Sequence, residues 1–240
     1  MRIRLASGRV ALFGAMLVLA LVAFLPLRLV LGAAGLGDAG LTARRVDGSV
    51  WGGSLTEASA AGLRLGDLAA RLAPFDLVAG RARVDLASRG DDPLHVVRGA
   101  LAASRHALGA EAVSATLPAA GLFRPLPITA LDLDEVTVRF RDGVCDRAEG
   151  RVRATMAGEV AGLPLTGVLA GTARCDAGRL LLPLASAAGT ERIELRLTDD
   201  GRYTAALTVA APDPALAQKL AGFGFQAAAD GYRLSVEGRF

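Results

Sequence analysis

The chain has 240 residues, enough for one sizeable domain with a real core. Apolar residues make up 52% and charged residues 21%, and the net charge is +3 with a pI near 9.4. The arginines behind that charge are scattered rather than clustered and Lys219 is the only lysine, which excludes a nucleic-acid-binding face as the reason for the basic balance.

The first element is apolar. From Val10 to Leu27 the chain carries no charge, and at ~1.5 Å per helical residue it reaches roughly 27 Å, the thickness of a bilayer core. A transmembrane anchor is expected over 10–31, preceded by a basic tail over 1–9 that holds Arg2, Arg4 and Arg9. Those arginines keep the N-terminal side in the cytoplasm and send residues 32–240 outward. A cleaved signal peptide shares the basic start and apolar centre, and Ala33 and Ala34 suit a cleavage site. The length of the apolar run and the interruption at Arg28 favour retention. Under either reading the body of the protein is exported.

Next comes "RVDGSVWGGSL", Arg45 to Leu55, with the only tryptophan, Trp51, among glycines. An indole here serves either as a stacking platform for a ligand or as a packing anchor at the start of a sheet. Beyond it the prevailing period is two. Ala82, Val84 and Leu86 alternate with Arg81, Arg83 and Asp85; Val136, Val138 and Phe140 alternate with Thr137, Arg139 and Arg141. In "RIELRLTDDGRYTAALTV" two such runs flank a hairpin signal, so Ile193, Leu195 and Leu197 are expected to share a face with Tyr203, Leu207 and Val209. The final run repeats the pattern with Tyr232, Leu234 and Val236. Turn signals recur at Gly48, Gly90, Gly143, Gly178 and Gly201, which describes an antiparallel meander with one buried and one wet face. "LDLDEV" breaks phase, and a β-bulge at Asp134 and Glu135 absorbs the slip.

Helical signals after the anchor are few. "DPALAQKLAGFGF" offers Asp213 as N-cap, Pro214 at the first position and Gly222 or Gly224 as a stop. "LPAAGLFRPLPI", Leu117 to Ile128, holds three prolines and reads as a loop that subdivides one continuous sheet.

Catalytic chemistry is hard to find. His95 and His106 are the only histidines and do not stand at metal-ligand spacing. No nucleophile elbow, zinc-protease helix or phosphate-binding loop occurs, and "GSVWGG" lacks the lysine a phosphate cradle requires. Asp132, Asp134 and Glu135 imitate paired acid–base carboxylates, but in an alternating strand they describe a solvated face. An enzyme is not expected, nor any cofactor or metal. Cys145 and Cys175 are the only cysteines, and export places both where thiols oxidise. Each follows a strand-like run and precedes an aspartate, so a disulfide between neighbouring antiparallel strands is expected. A metal or redox pair is the alternative, without CxxC spacing to support it.

The order of these parts carries a resemblance. An N-terminal anchor precedes "GSVWGG", then "LAPFDLVAGRARVDL", then the cysteines in "CDRAEGRV" and "GTARCDAGRLLLPL", and last "GFGFQAAADGYRLSVEGRF". That order resembles the N component of the bacterial type II secretion system, with kinship to AsmA-like proteins. The chain departs from the pattern at Arg71 and Leu72, where members often carry a second tryptophan. The resemblance implies a mainly β fold in which the anchor is followed by a curved, one-sided antiparallel sheet, an open trough. It implies a single-pass inner-membrane accessory with its sheet in the periplasm, docking on other secretion components, the inner-membrane platform or the secretin. The AsmA-like kinship implies a different role, carriage of lipid or hydrophobic cargo on the apolar face. In such a trough Trp51 is expected to pack as an anchor at the start of the sheet.

Overall fold

The computed structural model describes residues 6–29, 41–60, 63–90, 96–160, 162–210 and 214–239. Arg2, Arg4, Ala33, Ala34, His95 and Asp213 lie outside them. The first element is helix α1 (Ala6–Ala23). Among the described residues no helix is long and apolar enough to cross a membrane. Within the span expected over 10–31, of which residues 30 and 31 lie outside the described residues, helix α1 ends at Ala23 and the chain beyond it turns onto the sheet. Pro26 bridges Ser49, the Val50 amide donates to the Leu25 carbonyl at 3.1 Å, and Leu27 is 6% exposed in a hydrophobic core. Pro26 lacks an amide and cannot continue the helical ladder, so the apolar run divides there.

Strands β1 (Leu41–Thr42), β2 (Arg45–Ser49), β3 (Gly52–Ala60) and β4 (Leu63–Leu72) lead into a short helix, α2 (Pro74–Val78). Then follow β5 (Arg81–Ser88), β6 (Val97–Ser104), β7 (Ala107–Pro118), β8 (Ile128–Arg141), β9 (Val144–Val160) and β10 (Leu163–Thr172). After β11 (Arg174–Asp176) come β12 (Arg179–Ala185), β13 (Glu191–Leu197) and β14 (Arg202–Val209). Helix α3 (Pro214–Gly222), β15 (Gln226–Ala228) and β16 (Gly231–Arg239) complete the described chain. All sixteen of these strands belong to one open antiparallel sheet that follows chain order, except that β1 and β2 both pair with β3, β11 pairs only with β12, and β16 lies between β14 and β15.

The register shows why the alternation had to produce this sheet. Residues directly opposite one another share a face. Ile193, Leu195 and Leu197 face Leu207, Ala205 and Tyr203, and these continue to Leu234, Val236 and Gly238. The hairpin read from "DDG" therefore has the expected partners. The five turn glycines all take positive φ; Asp142 and Gly143, like Ala177 and Gly178, supply the paired positive φ values that a tight primed hairpin demands. The phase slip at "LDLDEV" is a bulge: Glu135 has φ 51, and the β8–β9 register jumps between Asp134 and Thr137.

One face is apolar throughout and packs as two clusters. The smaller holds Leu27, Val50, Leu55, Leu68 and Val97; the larger runs from Ala119 to Phe225, and Leu117 and Leu133 touch both. The larger is covered by the chain itself. In the connection between β7 and β8, Phe123 and Leu126 are 1% and 3% exposed, and the Tyr203 hydroxyl donates to the Leu122 carbonyl at 3.1 Å. Phe123 meets the Tyr203 ring edge-on at 5.3 Å. From α3, Leu220 is fully buried on the same cluster. The opposite face is polar but not simply wet. Leu181 and Thr208 are buried there, opposite Arg196 and between Arg192 and Arg233, whose long stems suit such cover.

Candidate docking surfaces

The root of the sheet is built from "GSVWGG". Gly48, at φ +90, stands in β2 opposite Gly53 beside the Val50–Trp51 turn, and a Cβ there would strike the Gly52 carbonyl at 2.6 Å. Gly53 is glycine for a different reason. Leu27 lies over it, and a Cβ would meet Leu27 Cδ2 at 2.5 Å. The residue of this motif that fills the core is Val50, 2% exposed, while Trp51 is half-buried and packs against the same cluster from the rim. Sequence reasoning missed Leu27 as a core residue of the sheet. The pairing of a glycine pair with an upstream Leu-Pro-Leu was the available signal.

At the other cysteine-bearing corner, Cys145 opens β9 and Cys175 lies in β11, with sulfurs joined and Cα atoms 5.6 Å apart. The strands are not ladder neighbours as expected. β10 pairs with β9 only from Arg151 to Val160, and β11 pairs with β12. The chain leaves β9 at Ala173, whose amide donates to Gly150, so the disulfide holds the first part of β9 where the β10 ladder has ended. The Cys145 amide donates to the Gly178 carbonyl beside it, at 2.8 Å.

Among the described residues, backbone is left open in two places. β15 pairs with β16 only at Gly231, Tyr232 and Arg233, which leaves Leu234 to Arg239 bonded on one side, to β14. β10 meets β12 only at Ala170, so Leu163 to Leu169 also lack a second neighbour strand among the described residues. On the opposite margin β3 is covered by β1 and β2. The open run of β16 alternates Leu234, Val236 and Gly238 on the apolar face with exposed Ser235, Glu237 and Arg239, and the charges oppose self-pairing of the edge.

The polar residues do not converge on a reaction centre. Asp134 accepts two bonds from Arg151, at 3.0 and 2.7 Å, and the Glu135 amide donates to the Ser114 hydroxyl. His106 Nδ1 pairs with Asp142 at 3.0 Å, both exposed. Among the described residues no group of His, Cys, Asp or Glu is arranged to hold a metal ion. Hydroxyls tune two carboxylates: Ser186 and Thr190 hold Glu191 below its ordinary range, and Thr198 with the Arg202 amide does so for Asp200. Both sit at hairpin ends and serve the turns.

The model of one protein family matches residues 39–235: type II secretion system (T2SS), protein N. The chain belongs to that family. No curated protein and no solved structure matches it. The matched region includes the cysteine pair, the open run of β10 and the root motif; it begins after α1 and ends at Ser235, just inside the open run of β16. The type II secretion protein N fold is thus a single open sheet here, held at one corner by a disulfide and at another by the segment leaving α1.

Proposed function

We propose that this chain is an inner-membrane accessory of the type II secretion system, whose periplasmic sheet docks on another secretion component by accepting a strand along β16. The family match over residues 39–235 carries the reading. The open backbone of Leu234 to Arg239 supplies what strand addition needs, main-chain donors and acceptors free on one side. Attachment to the membrane is through α1, where Val10, Leu12, Phe13 and Met16 are exposed although apolar. Arg9 on its N-terminal side supports a cytoplasmic start. The Cys145–Cys175 bond supports an oxidising compartment for the sheet.

The test is photo-crosslinking from Ser235 and Glu237 in cells that assemble the secretion machine. Adducts from Glu237 with an inner-membrane platform or secretin protein, lost when Ser235→Pro removes an edge amide, support docking. Absence of adducts from both positions, with secretion unchanged by Ser235→Pro, rejects it.

A second reading is supported by one observation. On the apolar face Leu101 and Leu108 are 49% and 54% exposed, in register with Val84 and Phe140. An apolar cargo such as lipid would cover them. Native mass spectrometry of the extracted protein separates the readings: stoichiometric lipid lost on Leu101→Ser with Leu108→Ser favours carriage, and lipid-free protein removes it.

A further inference from the structure

We infer that helix α2 rests on the bilayer surface beside α1, with Phe75, Leu77 and Val78 among the lipid headgroups. This rests on the reading above that α1 is membrane-attached. The helix (Pro74–Val78) has no buried residue; Phe75 is 87% exposed, Val78 90% and Leu77 40%. Phe75 and Val78 stand at i and i+3 and so share one side of the helix. Asp76 is turned to the sheet, where its carboxylate accepts from Arg81 Nε at 3.0 Å and Nη2 at 2.6 Å. The Gly80 amide donates to the Leu77 carbonyl and closes the turn. An exposed apolar pair on a helix pinned by an ion pair is therefore held out from the core.

Its position in the sheet names the occupant. Pro74 follows Leu72, whose amide donates to the Val50 carbonyl at 2.9 Å; the Val50 amide in turn donates to Leu25, just beyond the end of α1. Phe24 and Leu29, 80% and 58% exposed, lie in that same segment. The half-buried indole of Trp51 and the exposed cations Arg28 and Arg71 belong to the same corner. Apolar tips, one indole and cations around the foot of an apolar helix match the chemistry of a membrane interface with anionic headgroups. Contact at α2 as well as α1 gives the sheet two points of support and a set orientation on the membrane.

The full chain, with Trp51→Phe as background, is reconstituted in phosphatidylethanolamine–phosphatidylglycerol nanodiscs. Single tryptophans are introduced by Phe75→Trp, by Phe13→Trp in α1 and by Phe223→Trp as a distant exposed control. The tryptophan at 75 should emit blue, resist iodide, and be quenched several-fold more by lipids brominated near the headgroup than the one at 223. Quenching at 13 without quenching at 75 overturns this inference and leaves membrane attachment standing. Quenching at neither position overturns both. A blue shift at 75 that grows with protein concentration and is indifferent to brominated lipid overturns it in favour of self-association.

Discussion

Leu27 and Gly53 offer the sharpest test of how the apolar N-terminal segment meets the sheet. Leu27 is 6% exposed and belongs to the smaller cluster, whose fully buried members sit near the sheet margin. Truncating a buried leucine to alanine costs about 2–5 kcal/mol, and a cluster at a margin relaxes more readily than a central one, so Leu27→Ala should cost about 2–3 kcal/mol. Gly53→Ala adds a methyl where Leu27 Cδ2 would stand 2.5 Å away and the Asp47 and Ser49 carbonyls 3.0 Å away. That overpacking should cost about 1–3 kcal/mol. With Leu27 already shortened, the leucine clash is gone and the methyl enters the space it left; only the two carbonyl contacts remain. The double variant should therefore be less destabilised than the sum by about 1 kcal/mol or more, within the range for residues in contact. Urea unfolding of the detergent-solubilised full chain, followed by Trp51 emission and far-ultraviolet circular dichroism, measures all four species. Strictly additive losses, or a Leu27→Ala protein as stable as the parent, would refute the docking of residues 24–29 on "GSVWGG".

Replacing both cysteines by serine should destabilise the sheet by about 3.6 kcal/mol from the chain-entropy relation for a separation of 30 residues; reductant should cost the parent a similar amount and the variant nothing, as read by thermal unfolding. Tyr203→Phe loses the bond to the Leu122 carbonyl and should cost about 1 kcal/mol, whereas Phe123→Ala empties a site 1% exposed and should cost about 3–5 kcal/mol; equal losses would mean that the loop is not seated. Glu191 is held below its ordinary value first by Ser186 and then by Thr190. Its contribution is present above the unfolded carboxylate range and lost as pH falls through the lower folded value; Ser186→Ala should raise the Glu191 titration midpoint seen by carbon-detected NMR and shrink that acid-side loss.

The strands were legible because a half-buried antiparallel sheet writes its geometry as a period of two. Even the bulge was visible, since Val136 arrives one place late and only an inserted residue keeps it on the apolar face. What the period does not encode is which distant element lies on that face. Phe123 and Leu126 stand among prolines, where no periodicity exists, and their burial depends on their connection reaching across the apolar face to Tyr203 of β14. The limit of α1 was illegible for another reason. Leu25 and Leu27 are as apolar as the helix before them, and hydropathy does not distinguish a side chain meant for lipid from one meant for its own sheet. The cysteine pairing was readable from export chemistry, yet the break between β10 and β11 that brings the two together was not, because one residue, Ala173, makes it.

The two halves of the apolar face are closed by different means, and this bears on function. Toward the C-terminal side the connection of β7 to β8 and helix α3 bring Phe123, Leu126 and Leu220 onto the sheet, so that core is complete without help from another molecule. Toward the root, upstream cover comes from Leu27 and, partly buried, Leu25, with Val50 and Trp51 beside them. Leu101 and Leu108, on the strands between the two, remain half open. A sheet that depends on the segment leaving α1 to finish its root couples the state of that segment to the state of the sheet. Tension on α1, or its displacement by a partner, would first uncover Gly53 and the Val50 pocket and leave the larger core intact. A reporter at Trp51 should then respond while one at Tyr203 does not; simultaneous response at both would show that the sheet opens as one unit.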